Sequence, residues 1–400
     1  MRILMISDVY FPRINGVSTS IQTFRRGLHA LGHETVLIAP KYPVPSRTSD
    51  EGETLRIPSR YLPRDPEDRL MRIGKIRELR PVLAGRAFDI VHVQTPFIAH
   101  YQGTSLARTM RLPVVETYHT YFEEYLHHYV PLTPRAVMRF LARRFTTSQC
   151  NALDALVVPS EAMRSALEAY GVRCPMQIIP TGMEMERFAA GDGTRFRAKL
   201  DIKPDQPTLV HVGRIAHEKN IDFLFRMLRK VGDRVPRVVM IVAGEGPALA
   251  HCKSLVASLG LGNHVRFVGY LSRDSELLDC YRAGDLFVFS SRTETQGLVL
   301  LEAMALGVPV VSTAYMGTAD IVKPERGARA APDDETGFAS IVMELLANPV
   351  CRAVMSAEAR TYAATWSAPA MAARLAEFYA STLRASAGRR GQELSAGYTG

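Results

Sequence analysis

The sequence predicts an α/β protein built from two Rossmann-like domains that face each other across a cleft. Three observations lead there. Short apolar runs alternate with helical stretches almost throughout the 400 residues. The rhythm breaks once, between Thr181 and Pro207, where Gly182, Gly191, Gly193, Pro204 and Pro207 gather, and then restarts. A chain of this length also exceeds what one small core usually organises. Apolar runs bounded by turn residues read as buried parallel strands, and their alternation with helices builds doubly wound sheets.

The first array opens with an apolar strand over Arg2–Ser7, a helix over Ser18–Leu31 and a strand over Glu34–Ala39. Ile90–Gln94, Val114–Thr117 and Ala155–Val158 read as further strands. Ser160 is placed as the N-cap of a helix over Glu161–Tyr170, and a strand over Gln177–Ile179 closes the array. The second array has strands at Thr208–Val212, Val238–Ala243, Val265–Val268, Leu286–Phe289 and Val308–Ser312. The domains are therefore expected at 1–180 and 181–365, followed by a polar tail, 386–400, that should fray. Open α/β sheets bind ligands beyond the carboxyl ends of their strands, which makes the cleft the expected site.

Hydrophobic content of 47% and charged content of 22% describe an ordinary soluble chain. No uncharged run approaches the roughly 18–20 residues of a membrane-spanning helix; the nearest, Val299–Val311, contains Glu302. Met1–Pro12 carries Asp8 in its apolar run and reads as a first strand, not a signal peptide. Five scattered cysteines without metal-ligand spacing suggest a reduced cytoplasmic chain. The net charge of +9 is uneven: residues 1–180 hold 23 Lys/Arg against 16 Asp/Glu. A basic half suits an anionic partner such as a membrane surface, a nucleic acid or a phosphorylated substrate; ordinary solubility charge is the plainer explanation.

The chemistry concentrates just past strand ends. The first strand runs into Phe11-Pro12-Arg13-Ile14-Asn15-Gly16-Val17, where Gly16 before a helix permits close backbone approach to an anion. The loop lacks the GxGxxG spacing of nicotinamide enzymes. Gly213-Arg214 follows the strand Thr208–Val212, with Lys219-Asn220 after four intervening residues. Arginine offers a planar fork to phosphate and lysine a point charge. No Asp-x-Asp pair occurs for a divalent metal. Ala243-Gly244-Glu245-Gly246-Pro247 is a tight turn at the same edge, structural on its face. After Phe289, Glu294-Thr295-Gln296-Gly297-Leu298 leads into a helix that carries Glu302, so two carboxylates bracket its first turns. A helix N-terminus between two hydrogen-bond acceptors suits a sugar nucleotide, with one diphosphate and two sets of hydroxyls.

Taken together, these segments resemble the retaining glycosyltransferases of family 4, which have the GT-B fold. The resemblance is carried by Phe11–Val17, Gly213-Arg214-x4-Lys219-Asn220, Val265-Arg266-Phe267-Val268-Gly269 and Glu294-x7-Glu302, in the family's order. It implies that Arg214 and Lys219 hold the donor diphosphate, Glu294 the donor sugar and Glu302 the ribose. It places Gly16 at the phosphate, the backbone of Arg266–Val268 at the base, and His119 near the reacting sugar. Thr295, Gln296, Gly297 and Leu298 complete the donor loop, and no cofactor or metal is expected. Where many relatives have Gly-Gly, this chain has Asn15-Gly16. The family's last helix crosses back onto the first domain, which places 366–385 there.

The acceptor side is aromatic and basic. Tyr118–Tyr129 contains Tyr121, Tyr125 and His128. The following helix carries Arg135, Arg139 and Arg143 on one stripe and Val137, Leu141 and Phe145 on the other, about 200° apart. Such a helix can lie on an anionic bilayer or pack its apolar face into its own core. A second basic segment, Arg69 to Arg86, supports the bilayer; Pro81 should split it into two short helices. Within the family the chain looks most like bacterial diacylglycerol glucosyltransferases. That implies UDP-glucose as donor, a membrane lipid as acceptor, and residence at the inner face of the cytoplasmic membrane, without nucleic acid. A polyprenyl-linked or envelope-polysaccharide acceptor, a sugar-nucleotide epimerase and a non-catalytic nucleotide-binding module are the alternatives.

Overall fold

The computed structural model describes residues 1–43, 52–62, 65–119, 135–273 and 275–396. The chain forms two compact units: Met1–Gly182 together with Ala368–Gly400, and Met183–Ser367.

In the first unit, β1 (Arg2–Ile6), β2 (Glu34–Pro40) and β3 (Glu53–Ile57) are followed by a small antiparallel pair, β4 (Ser59–Leu62) and β5 (Asp65–Met71). β6 (Ile90–Val93), β7 (Val114–Thr117), β8 (Ala155–Val158) and β9 (Met176–Ile178) complete the main sheet. Its order is β3-β2-β1-β6-β7-β8-β9, and every pairing is parallel. β1, β6, β7 and β8 are buried almost along their whole length, as expected of strands covered by helices on both faces. The last helix, Ala368–Ala396, belongs to this unit. Met371, Leu375, Phe378 and Tyr379 enter the core beside Ile3, Met5 and Leu28. The expected fraying from 386 onward does not occur at once, since the helix continues to Ala396.

The second unit holds β10 (Thr208–Val212), β11 (Val239–Ala243), β12 (Val265–Gly269), β13 (Leu286–Phe289), β14 (Val310–Thr313) and β15 (Ala328–Ala331). The order is β12-β11-β10-β13-β14-β15, again all parallel. The chain enters and leaves this unit side by side: the Met183 amide donates to the Trp366 carbonyl at 2.8 Å.

Four strands lie outside the sequence expectation: β3, β4, β5 and β15. β3 and β15 are sheet edges. Glu-Thr-Leu-Arg-Ile and Ala-Arg-Ala-Ala lack the continuous apolar run of a central strand because one side faces solvent. The second basic segment also differs from expectation. Its first residues belong to β5, and two short helices follow, Ile73–Glu78 and Arg80–Ala84, with Pro81 in the first turn of the second. Arg69 is buried, its guanidinium 3.8 Å from the Tyr61 ring centre. Lys75 pairs with Glu78, Arg86 with Glu53, and Arg80 donates to Ser105. Ile76 and Leu83 enter the core. Much of this segment's charge is used internally, so it is weaker support for a membrane face than the sequence suggested.

Candidate active site

In the second unit the site grows from the carboxyl ends of β10, β11 and β13. β10 ends at Val212, and the Gly213 and Ile215 amides donate to Ala243 and Glu245 carbonyls at 3.0 and 2.9 Å. This stacks the Arg214 loop on the Gly244–Gly246 turn. Gly244 has φ +134°, and a Cβ there would stand 1.9 Å from the Gly213 carbonyl oxygen. Only glycine permits that approach, so this turn is the support of the Arg214 loop. Arg214 itself is exposed and makes no hydrogen bond or ion pair among the described residues. A presented, unpaired guanidinium is suited to an anionic ligand.

Lys219 closes a short 3-10 turn, His217–Lys219. The next residue, Asn220, takes the left-handed conformation at φ 55°, which asparagine tolerates better than most side chains. Its Nδ2 donates to the Ser290 carbonyl at 3.2 Å, and the Ser290 hydroxyl donates back to the Asn220 carbonyl at 2.9 Å. This exchange fastens the lysine loop to the end of β13. Lys219 Nζ then meets Glu294 Oε1 at 2.5 Å, with side chains 21% and 20% exposed. The family resemblance implied separate ligand groups for these residues; the structure joins them in one ion pair.

The Glu294–Gly297 loop is held from behind. The Gly317 amide donates to the Glu294 carbonyl at 2.8 Å, and Gln296 is buried. Thr295 is half-buried. Gly297, at φ +88°, starts the helix Leu298–Ala305. Glu302 lies on that helix, 12% exposed, and accepts from the Tyr281 hydroxyl at 2.7 Å on Oε2; Arg273 stands 3.4 Å from Oε1. Burial, and then the Glu302 charge, raise the Tyr281 phenol well above its ordinary value, so it remains a donor. Tyr281 and Arg273 were missed in the sequence. The available signal for Tyr281 was a hydroxyl-bearing aromatic on the face of the helix Glu276–Arg282 that carries Leu277, Leu278 and Cys280, since a buried tyrosine hydroxyl usually needs a partner. Val268 is half-buried on β12, where Arg266 Nη1 donates to the Asn263 carbonyl at 3.2 Å.

In the first unit, Gly16 begins the helix Gly16–Ala30, and the Asn15 side chain caps it by accepting from the Ser18 amide at 2.8 Å. The asparagine that replaces the family's first glycine is therefore the helix cap. A Cβ on Gly16 would meet nothing within 4 Å, which leaves open space at this amide. His119 lies past the end of β7, its Nε2 at 3.2 Å from Gln94 Oε1. Burial lowers its pKa to about 4, so the imidazole is neutral at neutral pH. Asp8, past the end of β1, accepts from the Thr95 hydroxyl at 2.8 Å and the Ala99 amide at 3.1 Å. Burial raises its pKa to about 6.

Of the expected acceptor residues, Tyr121, Tyr125 and His128 lie outside the described residues. Arg135 and Arg139 lie on the helix Arg135–Cys150, and nothing is described of their side chains. Arg143 stands over the Tyr170 ring at 4.9 Å. The apolar stripe does not enter the core: Val137, Phe140, Leu141 and Phe145 are exposed, Phe140 to 62%. No single helix among the described residues is long and apolar enough to cross a membrane.

Comparison with known proteins agrees with this architecture. Residues 14–187 match Glycosyltransferase Family 4, and residues 192–362 match Glycosyl transferases group 1. An alpha-monoglucosyldiacylglycerol synthase of Streptococcus pneumoniae is 33% identical over 78% of this chain and 71% of its own length. A GDP-mannose-dependent alpha-mannosyltransferase of Mycobacterium tuberculosis is 28% identical over 84% of this chain and 85% of its own. Among solved structures, Anabaena HepE in complex with UDP superposes with a TM-score of 0.76 at 16% identity, covering 95% of this chain and 100% of that one. The chain belongs to glycosyltransferase family 4, with the GT-B fold, and is a nucleotide-sugar-dependent glycosyltransferase.

Proposed function

We propose that the chain transfers glucose from UDP-glucose to a membrane lipid such as diacylglycerol, with retention at the anomeric carbon. The observation that carries this reading is the 33% identity to an alpha-monoglucosyldiacylglycerol synthase. The exposed apolar face of the helix Arg135–Cys150 supports it, because an amphipathic surface helix is one way to reach a lipid acceptor. In this reading the protein works at the inner face of the cytoplasmic membrane, seated on anionic lipid, and its five free thiols suit a reducing compartment.

The chemistry follows from the charges. As the sugar–phosphate bond lengthens, negative charge accumulates on the departing diphosphate and positive charge on the sugar ring. Arg214 and Lys219 stabilise the diphosphate without a metal, aided by the first N–H groups of the helix Leu298–Ala305. Glu294, already paired with Lys219, orients the sugar hydroxyls. Neutral His119 offers a hydrogen bond near the anomeric centre without adding a cation that would oppose the developing oxocarbenium charge. The acceptor hydroxyl attacks from the leaving-group face without a double displacement: its oxygen bonds to the anomeric carbon as the sugar–phosphate bond breaks, and its proton passes to the departing diphosphate, which leaves as UDP.

The test is incubation of the protein with labelled UDP-glucose and vesicles of diacylglycerol and anionic lipid, followed by analysis of the organic phase. A labelled α-glucosyl lipid is expected, unchanged in EDTA. A second reading, transfer of mannose from GDP-mannose, is favoured by the mannosyltransferase relative; labelled GDP-mannose in the same assay separates the two.

A further inference from the structure

The two oxygens of Glu302 are held unequally. Oε2 accepts from the Tyr281 hydroxyl at 2.7 Å, while among the described residues Oε1 has only a long contact to Arg273 at 3.4 Å. Tyr281 is fully buried. Its ring packs on Phe287 with centres 5.6 Å apart, and it shares a core with Leu300, Leu301 and Ala303 of the Glu302 helix. Its hydroxyl therefore has little freedom. Arg273 is different: its side chain is 36% exposed and its contact exceeds the ordinary length of a charge-assisted hydrogen bond. One carboxylate oxygen is fixed from inside the core; the other, on a side chain 12% exposed, is held only by the longer contact to Arg273 and keeps acceptor capacity.

A carboxylate with one oxygen loosely held can accept from both hydroxyls of a ribose diol, provided its rotamer is already set. Fixing that rotamer in advance removes an ordering cost from binding. We propose that Tyr281 is a positioning residue for the nucleotide: it clamps Glu302 Oε2 so that Oε1 receives the ribose hydroxyls of a nucleoside diphosphate. This rests on the reading of Glu302 as the ribose acceptor. It adds that selectivity for ribose over deoxyribose is set from the core by a residue that never touches the ligand.

The experiment compares wild type, Tyr281→Phe and Glu302→Ala by titration calorimetry with UDP, GDP and ADP. The nucleotide that wild type binds best is then titrated as its 2′-deoxy and 3′-deoxy forms. Tyr281→Phe keeps the ring that fills the core. It is expected to weaken the parent nucleotide about tenfold, the scale of one lost hydrogen bond to a charged group. The KM for the sugar nucleotide should rise by a similar factor while kcat stays within about twofold. The loss of affinity on removing a ribose hydroxyl should shrink towards unity. That loss is a ratio measured on one preparation, so partial unfolding of a variant cancels from it. A deoxy ratio in Tyr281→Phe equal to that of wild type, with Glu302→Ala still weakening binding, overturns the role of Tyr281 alone. Unchanged affinity in Glu302→Ala, or no nucleotide bound by wild type, overturns the ribose reading beneath it.

Discussion

Replacing Lys219 with alanine separates catalysis from stability. Lys219 Nζ lies 2.5 Å from Glu294 Oε1, and both side chains are about four-fifths buried. Losing the lysine leaves a carboxylate unpaired at that depth. Because both groups retain some solvent, the cost to folding is about 1–2 kcal/mol, or a melting point lower by roughly 2–8 °C for a unit of this size. The effect on turnover is larger. A fixed cation that stabilises a departing diphosphate falls in the class of preorganised donors whose removal costs about 10²–10³ in kcat. Initial rates with UDP-glucose and diacylglycerol vesicles, alongside a thermal melt, measure both. The expected variant is folded at 25 °C and at least 100-fold slower. Joining it to Glu294→Ala should give much less than the product of the two single losses, since the partners act as a unit. Turnover within threefold of wild type in folded Lys219→Ala would refute the leaving-group role.

Three further outcomes follow from other parts of the structure. His211 is buried on β10, with Nδ1 donating to the Val288 carbonyl at 3.2 Å and Nε2 without a partner among the described residues. Burial lowers its pKa from 6.5 to about 4. Above pH 6.5 it is neutral both folded and unfolded. Between pH 6.5 and 4 the unfolded chain takes up a proton that the folded chain refuses, so stability falls with pH, by up to about 3 kcal/mol. His211→Phe should make the acid slope in urea unfolding shallower, the buried His92 and His119 keeping the remainder; an unchanged slope contradicts the assignment. Gly244→Ala forces a Cβ against the Gly213 carbonyl and should cost at least about 2 kcal/mol and lower donor affinity, read by melt and by calorimetry. Normal stability and affinity would sink the idea that this turn holds the Arg214 loop. Phe140→Asp combined with Leu141→Asp alters exposed residues only, so stability should stay within about 0.5 kcal/mol. Sedimentation with anionic vesicles should nevertheless fall several-fold, and undiminished sedimentation would remove this face from membrane contact.

The central strands were legible because burial on both faces writes itself as an uninterrupted apolar run. Leu286–Phe289 is apolar throughout and buried throughout. The edge strands β3 and β15, Glu-Thr-Leu-Arg-Ile and Ala-Arg-Ala-Ala, carry no such run and were missed, whereas the edge strand β12 keeps enough apolar residues to be read. In the site, the residue types were legible and their partners were not. Lys219 and Glu294 are 75 positions apart. They meet because β10 lies beside β13 in the sheet, and the order of strands is invisible in an alternating sequence. The same holds for Tyr281 and Glu302, which lie on different helices of one core. The exposed stripe of the helix Arg135–Cys150 shows the opposite limit: its periodicity was plain, but whether the apolar side entered a core was a matter of tertiary packing.

The most direct measurement is the organic-phase assay with labelled UDP-glucose, diacylglycerol and anionic vesicles, run for wild type and Lys219→Ala in parallel. The account predicts an α-glucosyl lipid from wild type and almost none from the variant. Label that stays in the aqueous phase with wild type, across diacylglycerol and polyprenyl acceptors alike, would contradict it.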